Sequence, residues 1–167
     1  MSINFTEEKC QTNSNIKRFG LCDDPSPAIN PAYIDEKDGR KWIAVVENFE
    51  RYKVTFTAID KCIEIRRSDG KMHKRCDGVL TYNETIIFVE LKARGVLGNE
   101  WVEDAEIQLK TTIGHYEATN ESENFRSKKA YAANSEHPKF KKSQTRRMDQ
   151  FLTDTGYVFR IENRIIL

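Results

Sequence analysis

Three charged residues, Asp77, Glu90 and Lys92, lie in and beside two short apolar segments of the sequence. Carboxylate oxygens are ligands that Mg²⁺ prefers, and Mg²⁺ commonly takes only one or two protein carboxylates. A lysine beside such a metal can hold or deprotonate a water molecule and can offset charge that develops on phosphoryl oxygens. If the fold brings them together, these residue types favour metal-assisted hydrolysis of a phosphodiester bond.

A β-hairpin would bring the two carboxylates together. The β-prone runs Gly78–Tyr82 and Thr85–Leu91 flank the polar pair Asn83-Glu84, a pattern that predicts a tight turn. A turn centred on that pair places Asp77 opposite Glu90, with their Cβ atoms about 4.5–5.5 Å apart. The sequence therefore predicts two acids on one face of a strand pair.

The predicted hairpin is apolar on both faces apart from these charges. Val79 and Phe88 share the face of the acids, and Leu80 and Ile87 occupy the other face. This pattern predicts a strand pair inside a sheet that is covered on both sides. Charges in such a place are costly unless they are paired or bind a cation. A structural salt bridge is therefore the alternative to a metal site.

Lys92 and Leu91 complete the candidate site. Lys92 lies two residues past Glu90, so the period of two along a strand places it on the face of the acids. The backbone carbonyl of Leu91, between the two side chains, is a further candidate metal ligand.

A long amphipathic helix is predicted over Glu100–Glu117. Its apolar stripe recurs at helical spacing and consists of Trp101, Val102, Ala105, Leu109, Ile113 and Tyr116. Gln108 lies beside this stripe, where it faces either the core or a cleft.

Weaker patterns suggest the remaining elements. We expect strands at Lys41–Val46, Lys53–Ile59 and Lys128–Asn134, a short helix at Thr145–Leu152, and a terminal strand or hairpin at Tyr157–Leu167. The link Glu47–Tyr52 between the first two strands is short enough for a hairpin, although its charged residues could also begin a helical turn, and Cys62–Ile65 is a candidate for a further strand. Residues 1–40 are polar and rich in turn signals, so an N-terminal arm and loop region is expected before a single domain over residues 41–167.

The spacing of the charged residues resembles a known family. The pattern consists of Asp77, twelve further residues, and then Glu90-Leu91-Lys92 directly after the apolar run Ile86–Val89. It resembles that of the PD-(D/E)xK nuclease superfamily. The helix with Gln108 is similar to the glutamine-bearing helix of the RecB-like and Holliday-junction-resolvase-like branches. The resemblance implies an α/β (α+β) fold, in which helices flank a central mixed β-sheet as in restriction endonucleases. It also implies cleavage with Mg²⁺ or Mn²⁺, with Asp77, Glu90 and the Leu91 carbonyl as metal ligands.

Two departures from the family pattern are visible. Cys76 stands where the family often has proline. The family often adds an acid from its first helix, for which Glu47, Glu50, Asp60 and Glu64 are all candidates.

Positive charge is concentrated near the C-terminus although the formal net charge of the whole chain is only +1. From Arg126 to Arg147 there are eight Lys or Arg residues and a single acid, Glu136. Such a basic segment favours a polyanionic partner, and a solvated loop is the alternative. We expect it to contact the phosphate backbone of nucleic acid, most simply DNA.

The cysteines and the N-terminus predict a cytoplasmic protein. Cys10, Cys22, Cys62 and Cys76 show no CxxC pairing, and no export signal is apparent, so reduced thiols are expected. No apolar run approaches the roughly 20 residues needed to cross a bilayer, so no membrane partner is expected.

These observations converge on a metal-dependent DNA nuclease, more simply an endonuclease than an exonuclease, with Asp77, Glu90, Lys92 and Gln108 in its active site. A chain of 167 residues has little room for a separate sequence-reading domain, so a homodimer or a protein partner is expected. The alternative is a catalytically inert nuclease-fold module that binds a partner protein or nucleic acid.

Overall fold

Ten β-strands in two sheets and two α-helices form the fold in the computed structural model, which describes residues 3–93, 100–136 and 144–167. The strands are β1 (Gln11–Ser14), β2 (Arg18–Cys22), β3 (Tyr33–Asp35), β4 (Ala44–Glu47), β5 (Val54–Ala58), β6 (Gly78–Tyr82), β7 (Thr85–Lys92), β8 (Ser127–Asn134), β9 (Val158–Ile161) and β10 (Arg164–Ile166). The α-helices are α1 (Glu100–Glu117) and α2 (Thr145–Thr155), and short 3-10 helices span Glu8–Cys10, Gly39–Lys41 and Asn120–Asn124. The fold is therefore mixed α+β, as predicted.

The larger sheet has six strands in the order β1-β5-β6-β7-β8-β9. Strands β5, β6 and β7 form an antiparallel meander, whereas β8 runs parallel to β7 and β9 runs parallel to β8. Antiparallel neighbours need only short turns, but parallel neighbours need crossover connections, which contain α1 and α2 here. The second sheet has four strands in the order β10-β4-β2-β3.

The hairpin register agrees with the prediction. Tyr82 pairs with Thr85 across the turn, and the ladder continues to Gly78 opposite Val89. Asn83 adopts a left-handed conformation with a φ of 47°, which asparagine tolerates better than most residues. One step beyond the ladder, Asp77 lies opposite Glu90.

Helix α1 covers the face of the hairpin that carries the acids. Its predicted apolar stripe is buried throughout, and Tyr116 packs edge-on against Phe88 of β7 with ring centroids 5.3 Å apart. Leu80 and Ile87 on the opposite face are also fully buried. The hairpin is thus enclosed on both sides, as its apolar pattern predicted.

Residues 1–40 differ from the expected arm and loop. They contribute β1 to the larger sheet and β2 and β3 to the smaller sheet. These strands are only three to five residues long and contain polar residues such as Thr12 and Asn13. Their pairing depends on partners far along the chain, which local residue preferences do not reveal.

The structure decides three alternatives that the local patterns left open. The strands β4 and β5 do not form a hairpin, because they belong to different sheets. The C-terminal strands β9 and β10 are likewise divided between the two sheets, so Tyr157–Leu167 is not a hairpin. Cys62–Ile65 forms no strand and leads to a single isolated bridge between Arg66 and Met72.

The prediction of four reduced thiols was also wrong. Cys10 and Cys62 form a disulfide with their Cα atoms 5.9 Å apart, whereas Cys22 and Cys76 are free and buried. The antiparallel pairing of β1 with β5, with Gln11 opposite Thr57, brings the two half-cystines together. This long-range pairing is invisible in the spacing of the cysteines. Disulfides are rare in the reducing cytosol, so the bridge gives no support to a cytoplasmic location.

Among the described residues, neither α-helix is both long enough and apolar enough to cross a membrane.

Candidate active site

Asp77 lies immediately before β6 and is buried, with 6% of its surface exposed. Its Oδ2 accepts a hydrogen bond of 2.6 Å from the backbone N–H of Leu91 on β7. The preceding N–H, that of Cys76, donates to Thr112 Oγ1 on α1 at 2.9 Å. The hairpin partner and the covering helix therefore both hold the carboxylate in place.

Glu90 is the more buried of the two acids, with 2% of its surface exposed. Its Oε1 lies 3.1 Å from Nζ of Lys92. Its Oε2 has no hydrogen-bond partner among the described residues, although it is buried. A carboxylate oxygen without a donor in such a place is costly unless a cation or another donor completes its surroundings.

Gln108 joins the site through Lys92. The Lys92 ammonium donates to Gln108 Oε1 at 2.8 Å, and Gln108 Nε2 donates to the backbone carbonyl of Arg75 at 3.4 Å. Of the two orientations that the sequence allowed, Gln108 adopts the one that faces the charged residues. The structure thus brings together all four predicted side chains: Asp77, Glu90, Lys92 and Gln108.

The electrostatic environment disfavours the charged form of both acids. Burial, and then the charge of Asp23, raises the pKa of Asp77 to about 7, against the opposing hydrogen bond from Leu91. Burial, and then the charge of Asp77, raises the pKa of Glu90 well above its usual range, and the Lys92 ammonium opposes this shift. Two neighbouring carboxylates with raised pKa values are typical of a functional site, although a structural network can produce the same shifts.

Asp23 is an acid of this site that the sequence analysis missed. It follows β2, and its charge is the second largest cause of the raised pKa of Asp77. Asp60, one of the four predicted candidates, acts on Asp77 more weakly and also pairs with Arg75 at 3.0 Å. No local signal distinguishes Asp23 in the sequence, because its approach depends on how the two sheets pack.

Glu50 is exposed, and the other two candidates for an additional acid have partners elsewhere. Glu47 pairs with Arg18 and Arg164 at 3.3 and 3.5 Å. Glu64 pairs with Arg66 at 3.1 Å.

A cleft of about 810 Å³ begins at the ends of β7 and β8. Leu91 and Ala93 form part of its wall, together with Asp23, Lys61 and Trp42. Asp77 and Glu90 do not line the cleft themselves. They lie beside it, since Leu91 both lines the cleft and donates its N–H to Asp77.

The residues at the hairpin end fit a small divalent cation. They provide two buried carboxylates, one of which has an oxygen without a donor among the described residues. Because the N–H and C=O of a strand residue point to the same side, the Leu91 carbonyl also faces the Asp77 strand. No group of three or more His, Cys, Asp or Glu side chains in the described ranges is arranged to hold a metal ion. Two carboxylates are nevertheless sufficient for Mg²⁺ when substrate phosphate and water complete its coordination.

Three cations in the described part of the predicted basic segment pair with acids. Arg126 and Lys128 lie at the start of β8, at the turn end of the hairpin, and they pair with Glu84 and Glu117 at 3.6 and 2.6 Å. Arg147 on α2 pairs with acids of α1. The lysines at positions 139, 141 and 142 lie outside the described residues.

No family model, no curated protein and no solved structure matches the chain. The site must therefore be interpreted from its own geometry.

Proposed function

We propose that this protein is a metal-dependent nuclease that hydrolyses phosphodiester bonds of DNA, with Mg²⁺ or Mn²⁺ as its metal. The observation that carries the proposal is the convergence of Asp77, Glu90 and Lys92 at one end of a buried hairpin. Glu90 Oε2 has no hydrogen-bond donor among the described residues, and the Lys92 ammonium lies 3.1 Å from the other oxygen. Endonuclease activity is the simpler form of the proposal.

The order of the elements supports the same proposal. The antiparallel meander of the larger sheet is followed in the chain by the helix α1. The next strand, β8, then joins the same sheet parallel to β7. We propose that this order reflects the restriction-endonuclease-like fold that the resemblance to the PD-(D/E)xK superfamily implies. Fold alone does not establish an activity, so the argument depends on the side chains at the hairpin end.

The side chains have separable roles in this proposal. Asp77, Glu90 and the Leu91 carbonyl would hold the metal, which when bound polarises the scissile phosphate and lowers the pKa of a bound water. Lys92 has three N–H donors, two of which are directed to Glu90 and Gln108. Its third donor can hold the attacking water or a phosphoryl oxygen. Gln108 would orient Lys92 without contacting the substrate.

One observation favours the alternative, an inert nuclease-fold module that binds a partner. Asp77 and Glu90 are only 6% and 2% exposed, and Glu90 already pairs with Lys92. A buried ion pair of this kind can serve a purely structural role. Removing the charged residues one at a time distinguishes the two functions.

A cleavage assay with and without Mg²⁺ tests the proposal on linear, branched and single-stranded DNA and on RNA. We expect Mg²⁺-dependent cleavage that Glu90→Gln and Lys92→Met each reduce by at least about 100-fold. Lys110→Met is the matched control, because Lys110 of α1 pairs with Glu106 and Asp154 instead of the site. Cleavage that survives both site substitutions, or no cleavage of any substrate by the folded wild-type protein, would refute the nuclease function.

The partner and location belong to the same proposal. We propose in addition that the protein acts as a homodimer or with a protein partner, and that it does so in the cytoplasm. The basic segment Arg126–Arg147 remains the proposed contact with the phosphate backbone, together with the cations that line the cleft.

A further inference from the structure

We infer that the cleft beside the hairpin binds an unpaired nucleotide, whose base stacks on Trp42. The inference builds on the proposed nuclease function and specifies its substrate as single-stranded or locally unpaired nucleic acid. It depends on the position of Trp42, on the cations around it and on the link from the cleft to the carboxylates.

The indole of Trp42 is held in one orientation before any ligand arrives. One side of the ring lies against the backbone of Gly20 on β2, so closely that a Cβ at residue 20 would lie 1.9 Å from the Trp42 Cγ. The indole Nε1 donates to Asp35 Oδ2 on β3 at 2.9 Å. A rigid ring loses little conformational entropy when a ligand binds to it.

Trp42 is also partly exposed and lines the cleft of about 810 Å³. Since the Gly20 backbone covers one side of the ring, the exposed aromatic surface belongs to the other side and its edge. Stacking of a nucleobase on such an aromatic surface is a common way to bind single strands without reading their sequence. A base inside a duplex is already stacked on both faces, so only an unpaired base can use this surface.

Three cations line the same cleft as the Trp42 ring. Arg40 and Lys41 immediately precede Trp42 in the chain, and Lys61 lies across the same cleft. Arg40 pairs with Asp38 at 3.1 Å, but its side chain is 92% exposed, and the contact of Lys61 with Asp23 is long, at 3.8 Å. These three cations can therefore reach the phosphates on either side of a stacked base.

Three acids, Asp23, Asp24 and Glu136, line the cleft beside these three cations. Asp24 accepts hydrogen bonds from Tyr33 and Asn30 at 2.8 and 3.1 Å, which occupy its oxygens although its charge remains. Asp23 lies 3.8 Å from the Lys61 ammonium, so these two charges partly offset one another. Arg40 and Lys41, next to Trp42 in the chain, are therefore the cations that we expect to contact a phosphate.

Leu91 connects the cleft with the proposed chemistry. It lines the cleft and donates its N–H to Asp77, so a strand anchored at Trp42 passes the end of the hairpin. A base held at Trp42 would thus position a neighbouring phosphate at Glu90 and Lys92.

Binding in EDTA tests this inference separately from catalysis. In full-length protein with Trp101→Phe, Trp42 is the only remaining tryptophan, so its fluorescence reports the cleft alone. We expect single-stranded DNA or single-stranded RNA to quench this fluorescence, and a blunt duplex of the same sequence to leave it unchanged. Comparing the two single strands shows whether the sugar matters as well as the base.

The affinity of labelled oligonucleotides, measured by fluorescence anisotropy, supplies the second measurement. Trp42→Leu should weaken single-strand binding about 10-fold or more and duplex binding by less than about 2-fold, because only stacking is lost. Trp42→Phe is the matched control, since it keeps an aromatic ring in the same place and should retain most of the affinity. If Trp42→Leu does not fold, quenching by single strands in the Trp101→Phe protein still tests the stacking site.

The outcomes separate this inference from the nuclease proposal. Absence of quenching by single strands, or an equal loss of single-strand and duplex affinity in Trp42→Leu, would overturn the stacking site. Quenching and selective loss without any Mg²⁺-dependent cleavage would retain the stacking site and overturn the nuclease function.

Discussion

Neutralising Asp77 provides the sharpest test of the electrostatics at the hairpin end. Burial and the charge of Asp23 raise its pKa from 3.8 to about 7. A shift of about 3 pKa units corresponds to about 4 kcal/mol between the protonated and ionised forms in the folded protein. Water entry and side-chain movement reduce this cost, so we expect Asp77→Asn to recover about 2–4 kcal/mol of unfolding free energy at pH values above the raised pKa.

The sign of the pH dependence follows from the raised pKa. Because the folded protein binds the Asp77 proton more tightly than the unfolded chain, this group stabilises the fold fully at pH values below its ordinary pKa of 3.8. The stabilisation is lost as the pH rises towards about 7 and does not change further above that value. Asparagine cannot ionise, so the advantage of Asp77→Asn over wild type should be absent near about pH 4 and largest at about pH 8.

Urea unfolding in EDTA at these two pH values measures the effect, and added Mg²⁺ provides a second arm. A metal that binds only the folded state stabilises it by about 2.7 kcal/mol at a free concentration 100 times its dissociation constant. Wild type should therefore gain stability with Mg²⁺ at the higher pH, whereas Asp77→Asn should gain much less. The advantage in unfolding free energy that Asp77→Asn has over wild type in EDTA should therefore shrink or reverse when Mg²⁺ is added.

Asp154→Asn is the control for this experiment. Asp154 is exposed on α2, and its hydrogen bond from Lys110 lowers its pKa, so its substitution should change stability with pH in the opposite direction. If Asp77→Asn is less stable than wild type by the same amount at both pH values in EDTA, the assignment of a buried, charge-disfavoured carboxylate is incorrect.

Two further substitutions test the surroundings of the site. Gln108→Leu removes the 2.8 Å acceptor of Lys92, so we expect the cleavage rate to fall roughly 10- to 100-fold with little change in Mg²⁺ affinity, measured by titration calorimetry. Asp23→Asn should weaken Mg²⁺ binding in the same measurement, because the charge of Asp23 acts on Asp77. Asp24→Asn is the control and should leave Mg²⁺ affinity unchanged, because Asp24 accepts a hydrogen bond from Tyr33 instead. Equal effects of the two aspartate substitutions would exclude a specific role for Asp23.

Local pattern was sufficient to predict the hairpin and α1. The two β-prone runs and the turn at Asn83 determine the register, and the register alone places Asp77 opposite Glu90. The apolar stripe of α1 determined which side of that helix is buried, and with it the approximate direction of Gln108. These features depend on residues close together in the chain, so their spacing carries the information.

Long-range pairing accounts for most of the errors. β1 was not predicted because it is short and polar and is completed by β5, more than forty residues later. The same pairing brings Cys10 to Cys62, so the missed strand and the missed disulfide have one cause. Long-range packing also decides where the described part of the basic segment lies, since Arg126 and Lys128 are placed at the turn end of the hairpin.

The sequence by itself determined that two carboxylates and a lysine share one face of a buried strand pair, since alternation along a strand and the turn position leave no other arrangement. Only the tertiary structure decided what surrounds them. The packing of the sheets and helix brings Asp23 towards Asp77, directs Gln108 to Lys92 and places Trp42 in the neighbouring cleft. These residues come from separate parts of the chain, and their proximity arises from the burial of apolar surfaces that do not include them.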